Sequence, residues 1–466
     1  MAPGEDKCPN CGAELKPGDV ICVQCGTNVL TGGRVVTRRA KVPRRHRGVL
    51  LAAIVVLVLV AGGVFAALWY FQHDYAAEAR RFLDQGRLKE AAENYEKALR
   101  RNDRNPRLCF ESGLVELQLQ NYKTASERFA LVMKLEPENA RAQLLLGVAY
   151  ALSGDTLSET TALEKAIGMN PENGLAHLLL GLAYTITERR DQGLAELARA
   201  VALEPTNSEY RRSLGVAYVG AGKYAEAVAQ LEDALRLAPA SAETQMFAGI
   251  SYSAQGVTDK ALALLKDAGA ADKKYEADVR YHMGVAYALK GQYEDAIREL
   301  NDALRIQPAY SAAHLTLGLT YGIEGRLQEA LYELEKISAG TTSEMASAYA
   351  EAGRILTEQG DVTRAEEKYR QALQTDPKNY MAHVGLGYLY SKQEKGADAI
   401  REYREATKLN PEAATPHLFL AILYASQKDF GEASRELEKY AQYAPDAQER
   451  ETVGVLAQQL KSSVGL

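Results

Sequence analysis

Beyond residue 25 the chain holds a single cysteine, Cys109, so no disulfide framework ties its bulk together. Several catalytic signatures are also missing. There is no G-x-S-x-G nucleophile elbow, no phosphate-cradling G-x-x-x-x-G-K-[ST] loop, no dinucleotide fingerprint and no H-E-x-x-H pair. These absences remove the commonest routes to hydrolysis, nucleotide chemistry and zinc proteolysis. The expectation is therefore a non-enzyme with no catalytic residues. Charge is missing too from one long stretch: Val49 to Phe71 runs 23 residues without an acid or a base.

With 466 residues, 47% of them hydrophobic and 25% charged, the chain is too long for one compact core and too apolar to be disordered throughout. The net charge of −6 is unevenly spread. Residues 1–71 carry nine Lys/Arg against four Asp/Glu, while the remainder carries 46 against 57. A basic end and an acidic body call for different surroundings.

The other four cysteines form two C-x-x-C pairs, Cys8/Cys11 and Cys22/Cys25, each followed by glycine. Four thiolates at this spacing suit one tetrahedral zinc, and a site closed by four protein ligands has no open position for catalysis. So short a segment cannot bury a core, and structural zinc contributes about 10–16 kcal/mol in small finger peptides. A redox pair or a disulfide knot remains the alternative. Residues 8–31 resemble the short zinc ribbons at the N-terminus of many bacterial membrane proteins. A zinc ribbon over 1–31 is expected, holding structural Zn2+ on Cys8, Cys11, Cys22 and Cys25.

Residues 34–47 hold seven Lys/Arg and no acid, and the charge-free run follows, closing on Trp69, Tyr70 and Phe71. Twenty-three apolar residues suffice to cross a hydrocarbon core of about 30 Å. The aromatic close fits an interfacial anchor. The spacing thus predicts a basic linker over 32–48 and a transmembrane helix over 49–71. Only Arg80 and Arg81 follow within fifteen residues, so the positive-inside rule puts the N-terminus in the cytoplasm and the rest across the inner membrane. Four free thiolates also survive better in a reducing compartment. The basic run suits contact with anionic lipid as well. Nucleic acid is the weaker partner because no aromatic platform accompanies the ribbon.

The remaining sequence is periodic. Glycine recurs at 113, 147, 181, 215, 249, 284, 318, 353 and 387, in steps of 34 or 35 residues. Proline, tyrosine and alanine columns keep the same beat, as in Pro205, Tyr218 and Ala227. Gly215 and Tyr218 share one helical face, and so do Ala227, Leu231 and Ala234, while Gly222 and Pro239 end the two helices. Each unit is a helical hairpin that must stack on its neighbours to bury its apolar face. Residues 72–447 resemble the tetratricopeptide repeat (TPR), without that family's leading Trp. Eleven units are expected, starting near 72, 106, 140, 174, 208, 242, 277, 311, 346, 380 and 414, with a capping helix and tail over 448–466. The resemblance implies an all-α fold, a right-handed superhelical solenoid. The two extra residues in the period fall near Asp272-Lys273-Lys274 and Ser338-Ala339-Gly340, where only the local stacking angle should change.

The family binds peptides or partner helices in a groove lined by the first helix of each unit. Here the matching positions lie three before, one after and four after each column glycine. In the early units they are Phe110, Leu114 and Leu117, then Leu144 and Val148, then Leu178 and Leu182. Val216, Met246, Ile250, Tyr281 and Val285 follow, and some of these must pack between helices instead. The groove is expected to be apolar near the membrane and more polar around Arg354, Thr357 and Ser391. The Lys and Asn of a carboxylate clamp are absent from these columns. His177, His314, His383 and His417, four before the glycine column, fall in the slot the family gives to Trp, so packing rather than metal binding is expected there, as for Cys109.

The expected function is a membrane-anchored scaffold for protein partners in envelope assembly. Two alternatives share its parts: a regulator working through the ribbon, or a subunit of a secretion, pilus or outer-membrane assembly machine. A further resemblance, to lipopolysaccharide-assembly TPR proteins with a rubredoxin-like module, conflicts with this topology, since those keep repeats and metal module on one side.

Overall fold

The computed structural model describes residues 74–463 except Glu188 and Ser338. The zinc ribbon, basic linker and apolar run therefore lie outside the described residues. Within them the chain is helical, with 23 α-helices, one short 3-10 turn and no strand. No helix among the described residues is long and apolar enough to cross a membrane. The chain divides into two compact units, whose described parts are 74–203 and 204–463.

In the first unit, helices pair as hairpins from Tyr75–Asp84 with Leu88–Arg101 to Gly174–Ile186 with Arg190–Leu203. The second unit begins with Ser208–Gly220 and Tyr224–Leu237, and ends on a lone helix, Ala447–Ser463. The sequence sets these boundaries by a short device. Proline stops the chain, and two residues later a polar side chain caps the next helix. Asn139 Oδ1 accepts from the Ala142 N–H (2.9 Å), Asn173 from Ala176 (3.0 Å) and Asn379 from Ala382 (2.9 Å).

The glycine column marks where paired helices touch. A Cβ placed on any of the nine would come within 2.6–2.8 Å of the side chain sixteen residues later. That partner is Phe129, Leu163, Leu197, Leu231, Leu265, Leu300, Leu334, Tyr369 or Tyr403, each nearly or fully buried. Ala227 and Ala234 are buried beside Leu231, as the helical spacing requires.

The two lengthened repeats behave differently. The first inserts the 3-10 turn Lys273–Tyr275 ahead of Glu276–Leu289. The second alters the helices themselves: Leu327–Glu335 stops after nine residues, and Thr342–Glu358 runs for seventeen. Its early start follows from a capping box, Thr341 with Glu344. The extra residue thus does more than adjust an angle, because it moves a turn of helix from one element to the next.

Between the helices of most hairpins one residue sits at positive φ, usually glycine, as at Gly222 (φ 70°) and Gly256 (φ 78°). Glu394 (φ 59°) and Lys428 (φ 61°) occupy this place without being glycine. The left-handed conformation costs an L-residue about 1–2 kcal/mol, partly offset by the extra chain entropy glycine loses on folding. Glu394→Gly and Lys428→Gly are each expected to stabilise the second unit by about 0.5 kcal/mol. A thermal melt that falls for both would contradict this.

Candidate partner-binding face

First-helix side chains at the groove positions differ in exposure. In the first unit Phe110, Leu114, Leu117, Leu144, Val148 and Leu178 are half-buried, and Leu182 is 37% exposed. Phe110 meets Phe129 edge-on (5.7 Å between centroids) and lies under the Arg141 guanidinium (5.2 Å). Phe110 and Leu114 together line a cavity of about 420 Å³ rimmed by Arg107, Glu111, Glu136 and Arg141. The other positions of this unit are not gathered into that cavity.

In the second unit Val216, Ile250, Tyr281 and Val285 are half-buried. Met246 is only 6% exposed and packs with Leu265, Ala268 and Val279, so it belongs to the core. Tyr281 leans on Tyr310 (5.0 Å). Further along, the position just after the column glycine is more open, at Leu319, Tyr388 and Ile422 (39, 38 and 55% exposed). The first two border a cavity of about 470 Å³, with Arg354 and Thr357 on its wall. This stretch, which sequence reading makes the more polar one, thus also carries an open apolar face. Leu319, Tyr388 and Ile422 there alternate along the chain with Arg354, Thr357 and Ser391.

The histidines form a device that the repeat columns do not reveal. All four are buried, and each uses both ring nitrogens. Nδ1 faces a glutamate nineteen residues on: His177–Glu196 (2.6 Å), His314–Glu333 (2.7 Å), His383–Glu402 (2.8 Å) and His417–Glu436 (2.6 Å). Nε2 faces the carbonyl of the proline six residues before, at 2.9–3.2 Å from Pro171, Pro308, Pro377 or Pro411. No ring nitrogen is left for a metal. Other residues in the column reach the same loop carbonyl, as Arg211 does to Pro205 (2.8 Å) and Gln245 to Pro239 (3.0 Å). The buried Cys109 thiol points the same way, 3.7 Å from the Asp103 carbonyl, and burial raises its pKa. At the four histidines and Arg211 the column is a staple from the preceding loop through the first helix to the second, while Gln245 and Cys109 keep only the arm to the loop. Its sequence signal is P-x5-H-x18-E.

At His383 burial disfavours the charge, but the bonds to Glu402 and to the Pro377 carbonyl outweigh it, so its pKa is raised. Glu402 is lowered, burial being overcome by His383 and Arg401. Glu436 is lowered in the same way by His417 and Lys439.

No group of three or more His, Cys, Asp or Glu side chains is placed to hold a metal among the described residues. Family comparison agrees with the helical pattern. Models described as TPR repeat or tetratricopeptide repeat match residues 76–127, 110–157, 187–242, 218–286, 284–322, 353–394 and 384–448. A zinc-ribbon domain model matches residues 7–29. No curated protein matches the chain. Among solved structures, yeast Tom70 is 14% identical, with 84% of this chain and 95% of that one covered and a TM-score of 0.47. A tetratricopeptide repeat protein from Parabacteroides merdae is 18% identical, covering 54% and 98%, with a TM-score of 0.46. YrrB, described as a TPR protein with an unusual peptide-binding site, is 22% identical, covering 40% and 96%, with a TM-score of 0.36.

Proposed function

The chain is an array of tetratricopeptide repeats behind a zinc ribbon, and on that footing we propose that it is a membrane-anchored scaffold that holds protein partners on its first-helix face. The observation that carries the reading is the open apolar character of that face, at Leu182 in one unit and at Leu319, Tyr388 and Ile422 in the other. Such side chains lose about 25 cal/mol per Å² of apolar surface left in water, so covering them favours a partner. The charge-free run 49–71 is the anchor, and the basic run before it keeps the ribbon on the cytoplasmic side. Maintenance or assembly of envelope complexes is the role this topology supports.

A photo-crosslinking residue at Leu182 or Tyr388, introduced in cells, is expected to capture discrete protein partners. Crosslinks at exposed second-helix positions alone would sink the scaffold reading. A reporter that works only in the cytoplasm, fused after residue 466, is expected to be silent, and its activity would overturn the topology.

Cys8, Cys11, Cys22 and Cys25 would hold zinc, whose contribution there is folding energy rather than chemistry. Purified protein is expected to carry one zinc per chain by elemental analysis. Cys11→Ser should lose it while the helical circular dichroism stays unchanged. A zinc-free native protein would refute the assignment.

A further inference from the structure

The departures from the repeat pattern in the second unit converge on one place, the cavity of about 470 Å³ beside the long helix Thr342–Glu358. Its volume falls in the range of about 300–1,000 Å³ usual for ligand sites. Departures from the pattern at four positions shape it. Gly385 stands two before its column glycine, where other units carry Phe247 or Phe419. Ser347 and Ala350 line the cavity from the lengthened helix. Tyr369 takes the place of the leucine found in most units, and its ring lies against both Gly353 and Gly385. A Cβ would come within 2.8 Å of that ring at Gly353 and 2.3 Å at Gly385, so the small residues and the tyrosine depend on each other.

The walls are apolar, with Leu319, Val384, Tyr388 and Phe419 facing in. The Phe419 ring is backed by a stack on buried Tyr403 (5.2 Å, 18° between planes), which fixes that wall. Charge is confined to three lining residues. Arg354 Nε lies 2.9 and 3.0 Å from the two oxygens of Glu351, and its Nη1 donates to Glu358. Its Nη2 donates to Glu351 as well, so Glu351 holds the Nε–Nη2 fork and Glu358 draws on Nη1. Two carboxylates against one guanidinium leave the lining net negative. Glu358 has a half-exposed side chain, whereas that of Glu351 is mostly buried. Lys392, outside the lining, sits over the Tyr388 ring (5.4 Å).

We propose that this cavity is the specificity pocket of the partner-binding face: it takes an aromatic or long aliphatic side chain from a protein segment with Lys or Arg beside it. The apolar walls receive the large side chain, and the free side of Glu358 receives the cation. A chain terminus held by its carboxylate fits poorly, because the one lining cation already faces two carboxylates. The inference rests on the scaffold reading above and adds the partner's chemistry to it.

The test is selection from a random dodecapeptide display library on the full chain in detergent. Enrichment of sequences with a large apolar residue flanked by Lys or Arg is expected. The amidated consensus peptide should lose at least about tenfold in affinity on Ser347→Trp or Val384→Trp, which fill the cavity from different helices. It should lose about threefold or more on Glu358→Lys. The last change is at an exposed position and keeps the test decisive if the tryptophan variants misfold. No enrichment, an acidic consensus, a preference for a free carboxyl end, or equal binding to folded variants would each overturn the proposal. If selection fails while crosslinks at Leu182 persist in cells, the scaffold stands and the pocket chemistry alone is wrong.

Discussion

Replacing His383 with alanine is expected to destabilise the surrounding repeats by about 2–4 kcal/mol. The substitution leaves the Pro377 carbonyl and the largely buried Glu402 carboxylate without their donor. Breaking a buried charged pair from one side costs about 3–5 kcal/mol, and the Arg401 contact to Glu402 (3.1 Å) moderates that loss. The pH dependence has a definite sign. His383, raised on folding, contributes fully below its ordinary value of 6.5 and is lost as pH rises through the folded value. Glu402, lowered on folding, contributes above 4.5 and is lost as pH falls through its folded value. The pair therefore stabilises most between about pH 4.5 and 6.5. The chain supplies its own control, since Arg211 fills the same position and bonds both Pro205 and Asp233 (2.8 Å each). His383→Arg should keep most of the stability and lose its decline toward alkaline pH. Hydrogen exchange of the Tyr380–Lys392 amides at pH 5.5 and 8.5 reads both effects. An alkaline decline in His383→Ala equal to that of the wild type would refute the pairing.

Gly193→Ala, which only restores the alanine other units carry in that column, is expected to cost about 2–3 kcal/mol. Ala227, Ala261, Ala296 and Ala330 are fully buried at the equivalent position and fit there. At Gly193 the added carbon would meet backbone: the Gly181 carbonyl oxygen at 2.8 Å and the Thr185 nitrogen at 3.1 Å. A Cβ on Gly181 would in turn come within 3.0 Å of the Gly193 carbonyl oxygen. The helices Gly174–Ile186 and Arg190–Leu203 thus approach across paired glycines, and relief requires them to separate. Overpacking of this kind costs about 1–3 kcal/mol, toward the upper end where backbone must move. Denaturant melts of Gly193→Ala beside Ala227→Gly would decide the matter. A gain in stability for Gly193→Ala would show that the close approach is not native.

The repeat architecture was legible because its causes are local and recur. A glycine every 34 or 35 residues meets a large side chain sixteen positions later, and both appear as columns. The staple was not legible, because its donor varies among His, Arg, Gln and Cys while the shape of the contact persists. A search for one residue type per column finds four histidines and misses the Pro377 carbonyl and Glu402 that give His383 its role. The groove positions illustrate another limit. Met246 and Leu178 both stand three before the column glycine, yet Met246 is core and Leu178 only half-buried, since burial depends on what the neighbouring helix brings. The cavity lay beyond periodic reasoning altogether, for Gly385, Tyr369 and the capping box at Thr341 are each departures from the pattern.

The staple has a mechanical reading. Because it grips the loop that ends the preceding repeat, it transmits the loss of one hairpin to the next, and where it is lacking, transmission should weaken. Two positions lack it among the described residues of the second unit. Arg280 turns to Glu299 and Asp302, and Tyr349 fills the column in the lengthened helix with a lysine over its ring. Both follow the inserted residues. Under force or mild denaturant the second unit should therefore yield in blocks, parting near Asp272–Tyr275 and near Gly340–Thr341, so that the specificity pocket can open while the hairpins before residue 272 hold.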